Sequence, residues 1–176
     1  MASAISLEAI ITFLLEAPMF GDLDAAELSE VVHIMQVQRL QAGQFVFREG
    51  EPGDAWYVLY DGQAEVVKNG ATGEEVITTL GPSACFGEMG VLGNEPRSAS
   101  IRTLSESTAF RFPREAFQGL LEAGNLSAYK LVHQIALVLA TRQRDTTARL
   151  VQLLPEATPR VRHGIHPIVS ATTPHE

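Results

Sequence analysis

One cysteine, Cys85, stands in a chain of 176 residues. A lone thiol cannot close an internal disulfide, so burial must hold the fold together and a reducing, cytoplasmic setting is expected. Residues 37–112 contain no histidine. That excludes a barrel metalloenzyme whose ligands are strand-borne histidines. The five histidines fall at 33, 133, 163, 166 and 175, and His163 and His166 have no Cys or acidic partner nearby. Surface or structural roles are expected for them, and no metal site. No Ser-His-Asp order, Cys-His pairing or close pair of carboxylates stands out, so no catalytic activity is expected. A membrane span is missing too. The N-terminal stretch MASAISLEAIITFLLEAPMF has no Lys or Arg ahead of its apolar part and carries Glu8 and Glu16. It falls far short of the roughly 20 apolar residues that a span requires, and reads instead as a short amphipathic helix.

What is present is a globular composition, 45% hydrophobic and 19% charged. The net charge of −8 is unevenly spread. Residues 1–124 hold 7 Lys and Arg against 18 Asp and Glu, or −11, whereas residues 125–176 hold 6 against 3, or +3. An acidic body is a poor surface for nucleic acid, because neutralising phosphates dominates that kind of binding.

Three zones and a tail are expected. In residues 1–36, Leu7, Ile10, Ile11, Leu14 and Leu15 recur at helical spacing until Pro18 stops them. Asp24 then reads as an N-cap with Glu27 as its capping-box partner. Residues 37–112 change to short Val-, Ile-, Phe- and Tyr-rich runs between glycines. Val46–Phe47, Trp56–Leu59, Ala64–Val67 and Val76–Leu80 are strand candidates, and Asp61-Gly62 signals a hairpin. Many short strands with Gly turns suggest a closed sandwich or barrel. Trp56 and Tyr57 read as its wall, and Gly53-Asp54 as a turn. Residues 113–154 return to helix, with Pro113 at a first helical position, a stop at Gly124 and Asn125 capping a run of nearly thirty residues. On that run Leu131, Ile135, Val138, Arg142 and Asp145 follow a 4-3-4-3 spacing, widened by Val132, Ala136 and Leu139. Such a face either packs on the body or pairs with a second copy, giving a possible homodimer through residues 126–146. Residues 155–176, with four prolines, read as a flexible tail.

The segment FGEMGVLGNEPRSAS, Phe86 to Ser100, carries the chemistry. Gly87 lets backbone approach a ligand closely. Glu88 to Leu92 can form one helical turn whose free N–H groups suit an anion. Arg97 offers a permanent charge and a planar donor fork, and Ser98 a hydroxyl. Glu88 would repel a bare anion, but an ionised carboxylate accepts a hydrogen bond from a sugar hydroxyl. Together these groups fit a sugar phosphate. The plain alternative is a loop closed by a Glu88–Arg97 salt bridge.

The same segment resembles the phosphate-binding cassette of the cyclic nucleotide-binding domain family, whose pattern is roughly F-G-E-[LI]-[AG]-L, then P-R-x-A-[ST]. AGQFVFREGEPGDAWYVLYDGQAEVV is similar to that family's barrel motif, and the resemblance spans roughly residues 8–150. It implies an α+β fold: an eight-stranded β-barrel of the jelly-roll type, flanked by N-terminal helices and a long C-terminal helix. It also implies that Arg97 binds the exocyclic phosphate oxygens and that Glu88 accepts from the ribose 2′-OH. Backbone around Phe86, Gly87, Met89, Gly90, Ser98 and Ala99 would complete the cradle. Ser98 after Arg97 tilts the expected ligand toward cyclic AMP over cyclic GMP. Arg142 and Gln143 are candidates to contact the base. The long helix would move on binding and be read by an unidentified protein effector. Only about twenty residues follow Leu154, too few for a helix-turn-helix domain, so DNA binding is not expected. The competing expectation is a scaffold that keeps the fold without a ligand.

Overall fold

The computed structural model describes residues 5–93 and 95–153. The expected tail, with His163, His166 and His175, lies outside them. The N-terminal elements form as their caps dictate. Helix α1, Leu7–Glu16, starts where Ser6 Oγ accepts from the Ala9 N–H and ends ahead of a 3-10 turn at Pro18–Phe20. Helix α2, Ala25–Val32, carries the full capping box: Asp24 accepts from Glu27 N–H at 2.9 Å and Glu27 accepts from Asp24 N–H at 3.1 Å. Each such cap contributes about 1 kcal/mol.

Eight strands follow in the described chain: β1 Gln36–Leu40, β2 Phe45–Phe47, β3 Ala55–Asp61, β4 Ala64–Gly70, β5 Gly73–Leu80, β6 Cys85–Phe86, β7 Ser100–Thr103 and β8 Ser107–Pro113. A one-turn helix, α3 Met89–Leu92, lies between β6 and β7. The eight strands pair as two four-stranded antiparallel sheets, ordered β1-β8-β3-β6 and β2-β7-β4-β5. The expected all-round barrel is thus seen as two sheets, each with its own ladder. Leu40, Tyr57 and Phe86 from one sheet and Phe47, Ala64 and Ile101 from the other share one buried cluster, so the sheets face each other across it.

The Asp61-Gly62 turn does not make the expected hairpin. Both edges of β3 are taken, by β6 and by β8, so β4 crosses into the other sheet and pairs with β5 and β7. Gly62 turns this corner at φ 92°, and a Cβ there would lie 2.6 Å from the Glu106 carbonyl. The turn composition reported a reversal of direction, not the partner.

Strand β3 explains its own apolar run, because it is buried on both faces. Tyr57 and Leu59 enter the space between the sheets, whereas Trp56 and Val58 enter a second core beneath the helices. There Trp56 stacks on Phe112, with centroids 4.2 Å apart and planes 12° apart, and meets Phe117 edge-on at 6.0 Å. Such aromatic pairs add about 0.5–1.5 kcal/mol each beyond area burial.

Pro113 ends β8 and caps helix α4, Arg114–Glu122, one position before the expected one. Helix α5, Leu126–Leu153, begins where Asn125 Oδ1 accepts from Ala128 N–H at 2.8 Å. Its apolar face is consumed locally. Ala128, Leu131 and Ile135 are fully buried in the core beneath the helices, with Val132, Val138 and Leu139 packed at its margin. Leu131 and Ile135 therefore face their own domain rather than a second copy, and Ala136 is exposed. From Arg142 onward the chain belongs to a second compact unit, whose described residues are helical. Among the described residues, no helix is long and apolar enough to cross a membrane.

Candidate functional site

Phe86 fixes the start of the Phe86–Ser100 segment. It is buried and stacks on Tyr57 with centroids 5.3 Å apart and planes 6° apart. The chain then turns at Gly87, φ 74°. A Cβ there would lie 2.8 Å from Nη1 of Arg97 and 3.2 Å from the Phe47 ring, so only glycine closes this turn over the guanidinium. Glu88, 3% exposed, caps α3, and Met89 opens it with its side chain about half exposed. Gly90 lies against Gly53 in the turn before β3. A Cβ on Gly53 would approach the Gly90 Cα to 2.7 Å, which makes the contact one of backbone on backbone.

Arg97 is 4% exposed. Its backbone is pinned both ways to the preceding turn: its N–H donates to the Glu51 carbonyl at 2.8 Å, and Gly50 N–H donates to its carbonyl at 2.9 Å. Its Nη1 donates to the Gly87 carbonyl and its Nη2 to Asp54 Oδ1, each at 3.0 Å. The guanidinium carbon sits 4.0 Å from the centroid of Phe47 and 5.9 Å from that of Tyr57. Its Nε–H is buried with no hydrogen-bond partner among the described groups. A guanidinium has five N–H donors. Two are engaged here, so a buried cation keeps unspent donors.

The carboxylate on Arg97 is that of Asp54, not that of Glu88 as the plain loop alternative had it. Asp54 was read from sequence as a turn residue, yet it joins two arginines. Its Oδ2 accepts from Arg111 Nη2 at 2.7 Å, and Arg111 Nη1 donates to Gln36 Oε1 at 2.9 Å. Partial burial alone would raise the Asp54 carboxyl. The hydrogen bond and charge of Arg111, joined by the charge of Arg97, outweigh it and hold the group below its ordinary value. Burial raises the Tyr57 phenol, against a hydrogen bond from Arg111, so the hydroxyl stays protonated. A cavity of about 670 Å³ opens beside this chain of groups, lined by Gln36, Gln38, Phe47, Asp54, Tyr57 and Arg111 among others. Glu88 and Arg97 do not line it; Arg97 reaches it through Phe47, Asp54 and Tyr57.

Ser98 is exposed, and its Oγ lies 3.7 Å from Met89 Sδ. Its carbonyl accepts from Lys68 Nζ at 2.8 Å, and Lys68 is matched by Glu49 at 2.7 Å. Ala99 is half-buried beside it. The structure thus gathers Phe86, Gly87, Glu88, Met89, Gly90, Arg97, Ser98 and Ala99 in one segment. Arg142 and Gln143 are exposed on α5 and fall in the second unit.

A model of the cyclic nucleotide-binding domain matches residues 37–123, a span that includes Asp54, Arg97 and Arg111. Residues 37–123 belong to the cyclic nucleotide-binding domain family. The chain is similar to the cAMP-dependent protein kinase regulatory subunit of Emericella nidulans, 33% identical over 62% of this chain and 26% of the relative. It is also similar to the CRP-like cAMP-activated global transcriptional regulator of Mycobacterium tuberculosis, 29% identical over 80% of this chain and 62% of the relative. The chain therefore spans only part of either curated relative. A solved cyclic nucleotide-binding domain from Methylobacillus flagellatus superposes with a TM-score of 0.75 at 26% identity, covering 85% of this chain and 87% of that one.

Within this cyclic nucleotide-binding domain, sequence reasoning missed Asp54 and Arg111 as partners of the cassette. One signal was available. Arg111 interrupts the apolar strand AFRF, and β alternation puts it on the same side as Ala109, between the sheets.

Proposed function

We propose that this domain is a regulatory module that binds a cyclic nucleotide, cyclic AMP in preference to cyclic GMP, at the Phe86–Ser100 cassette. The single observation that carries the reading is Arg97: a buried guanidinium, wedged over Phe47 under a glycine turn, with donors left over. In this reading the remaining Arg97 donors take the exocyclic phosphate oxygens. Glu88 accepts from the ribose 2′-OH, and the backbone from Phe86 to Gly90 and at Ser98 and Ala99 lines the cradle. Arg142 and Gln143 are the candidates for the purine edge. The names of the curated relatives, both tied to cAMP, support the choice of purine.

The response is carried by α5. Its first turns are fastened in the core through Ala128, Leu131 and Ile135, and every residue from Thr141 to Gln152 is exposed. A ligand that favours one position of this helix shifts its population, and a protein effector reads the shift. The module acts in the cytoplasm and performs no catalysis of its own.

Calorimetric titration with cyclic AMP and cyclic GMP tests this. Binding of cyclic AMP, tighter than that of cyclic GMP, is the expected result. Neither heat nor a thermal shift at millimolar ligand would leave the fold as a scaffold instead.

A further inference from the structure

We propose that Arg111, outside the cassette, is a positioning residue that sets the charge of the anion site through Asp54. The inference rests on the cyclic nucleotide reading but adds a residue to it. A single carboxylate, Asp54, is divided between two guanidinium groups, Arg97 on one oxygen at 3.0 Å and Arg111 on the other at 2.7 Å. Arg111 is fixed in turn by Gln36 Oε1 at 2.9 Å.

The charges decide the matter. If Asp54 had only Arg97, its carboxylate would cancel that one cation, and a phosphate would approach a pair without net charge. Arg111 supplies a second cation and leaves the three linked groups with one net positive charge, so that Arg97 can attract an anion. Lys68, on the Ser98 carbonyl, is matched by Glu49, and Glu51, which also lines the cavity, is an exposed carboxylate accepting from Arg48 N–H at 2.8 Å.

The test uses the full chain, with cyclic AMP followed by calorimetry and inorganic phosphate followed by the NMR shift of the Arg97 Nε–H. Arg111→Gln is expected to weaken cyclic AMP about tenfold, or about 1.4 kcal/mol. Arg111→Lys, which keeps the charge, is expected to recover most of it. Adding Asp54→Asn to Arg111→Gln restores one net positive charge and is expected to regain affinity, which removing a second structural contact would not do. Unchanged affinity in Arg111→Gln, or no recovery in the double variant, overturns the proposal.

Two further arms separate the possible failures. If the unaltered protein binds no cyclic nucleotide, the functional reading falls. The phosphate arm then decides for Arg111, by whether Arg111→Gln shrinks the phosphate-induced shift at Arg97. No shift in the unaltered protein overturns the proposal as well. If Arg111→Gln does not fold, Asp54→Asn alone, which gains net positive charge, is expected to bind phosphate more tightly than the unaltered protein. Equal or weaker binding again refutes it.

Discussion

Two arginine clusters in this domain are built from the same chemistry with opposite balance. At the turn before β3, one carboxylate, Asp54, serves two guanidinium groups, Arg97 and Arg111. On β7, one guanidinium, Arg102, serves two carboxylates: Glu65 on β4 at 2.6 Å and Glu74 on β5 at 3.0 Å. Both involve aromatic faces. Arg97 lies 4.0 Å from the Phe47 centroid, and Arg102 lies 5.4 Å from that of Phe45, which Arg48 also covers at 3.7 Å. The difference is in surplus and in burial. The Arg102 cluster has excess negative charge and ties three strands of one sheet together, so it is fitted to hold structure. The Arg97 cluster has excess positive charge, a buried cation and unspent donors, so it is fitted to receive an anion. An ion pair says little about function until the charges are counted and the leftover donors found.

Substitutions can sharpen that contrast. The largest effect is expected for Arg97→Ala, which removes charge-assisted hydrogen bonds and should weaken cyclic AMP by roughly 1.5–3 kcal/mol, tenfold or more. Calorimetry reads it directly, and an unchanged affinity takes Arg97 out of the site. A smaller effect is expected on stability at Asp54. Its carboxyl is held below the ordinary value of 3.8, so the folded state favours the ionised form. The stabilisation is therefore complete above that value and is lost as pH falls through the lower folded one. Urea unfolding midpoints of the unaltered protein and Asp54→Asn should differ near neutrality and draw together as pH falls through that lowered value. A constant gap across pH would show that the two arginines do not govern Asp54. The smallest effect on binding is expected for Arg102→Gln, which should leave cyclic AMP affinity as it was. Loss of affinity there would erase the distinction between the clusters.

The helical parts were legible because their signals are local. Asp24 with Glu27, Asn125, and the stop ahead of Pro18 each act within one turn of chain, and the structure has them where the sequence put them. Strand candidates were legible for a related reason, since burial on one or both faces leaves a pattern along the chain. Strand partners were not. Asp61-Gly62 marks a reversal, and nothing in those two residues tells that β3 was already paired on both edges. The long helix shows the same limit. Its apolar spacing fitted either a second copy or its own domain, and only packing placed Leu131 and Ile135 in the core with Trp56 and Phe117.

The cassette divides along the same line. Its order of residues puts a glycine turn, a carboxylate, one turn of helix and an arginine within fifteen residues, and of these the Gly87 carbonyl and Arg97 meet. What only the tertiary structure decided is the company that Arg97 keeps. Asp54 comes from the turn before β3 and Arg111 from β8, 43 and 14 residues away along the chain. Electrostatic energy depends on distance in space, and strand pairing brings three charges from three segments within hydrogen-bonding reach where no spacing in the sequence records it.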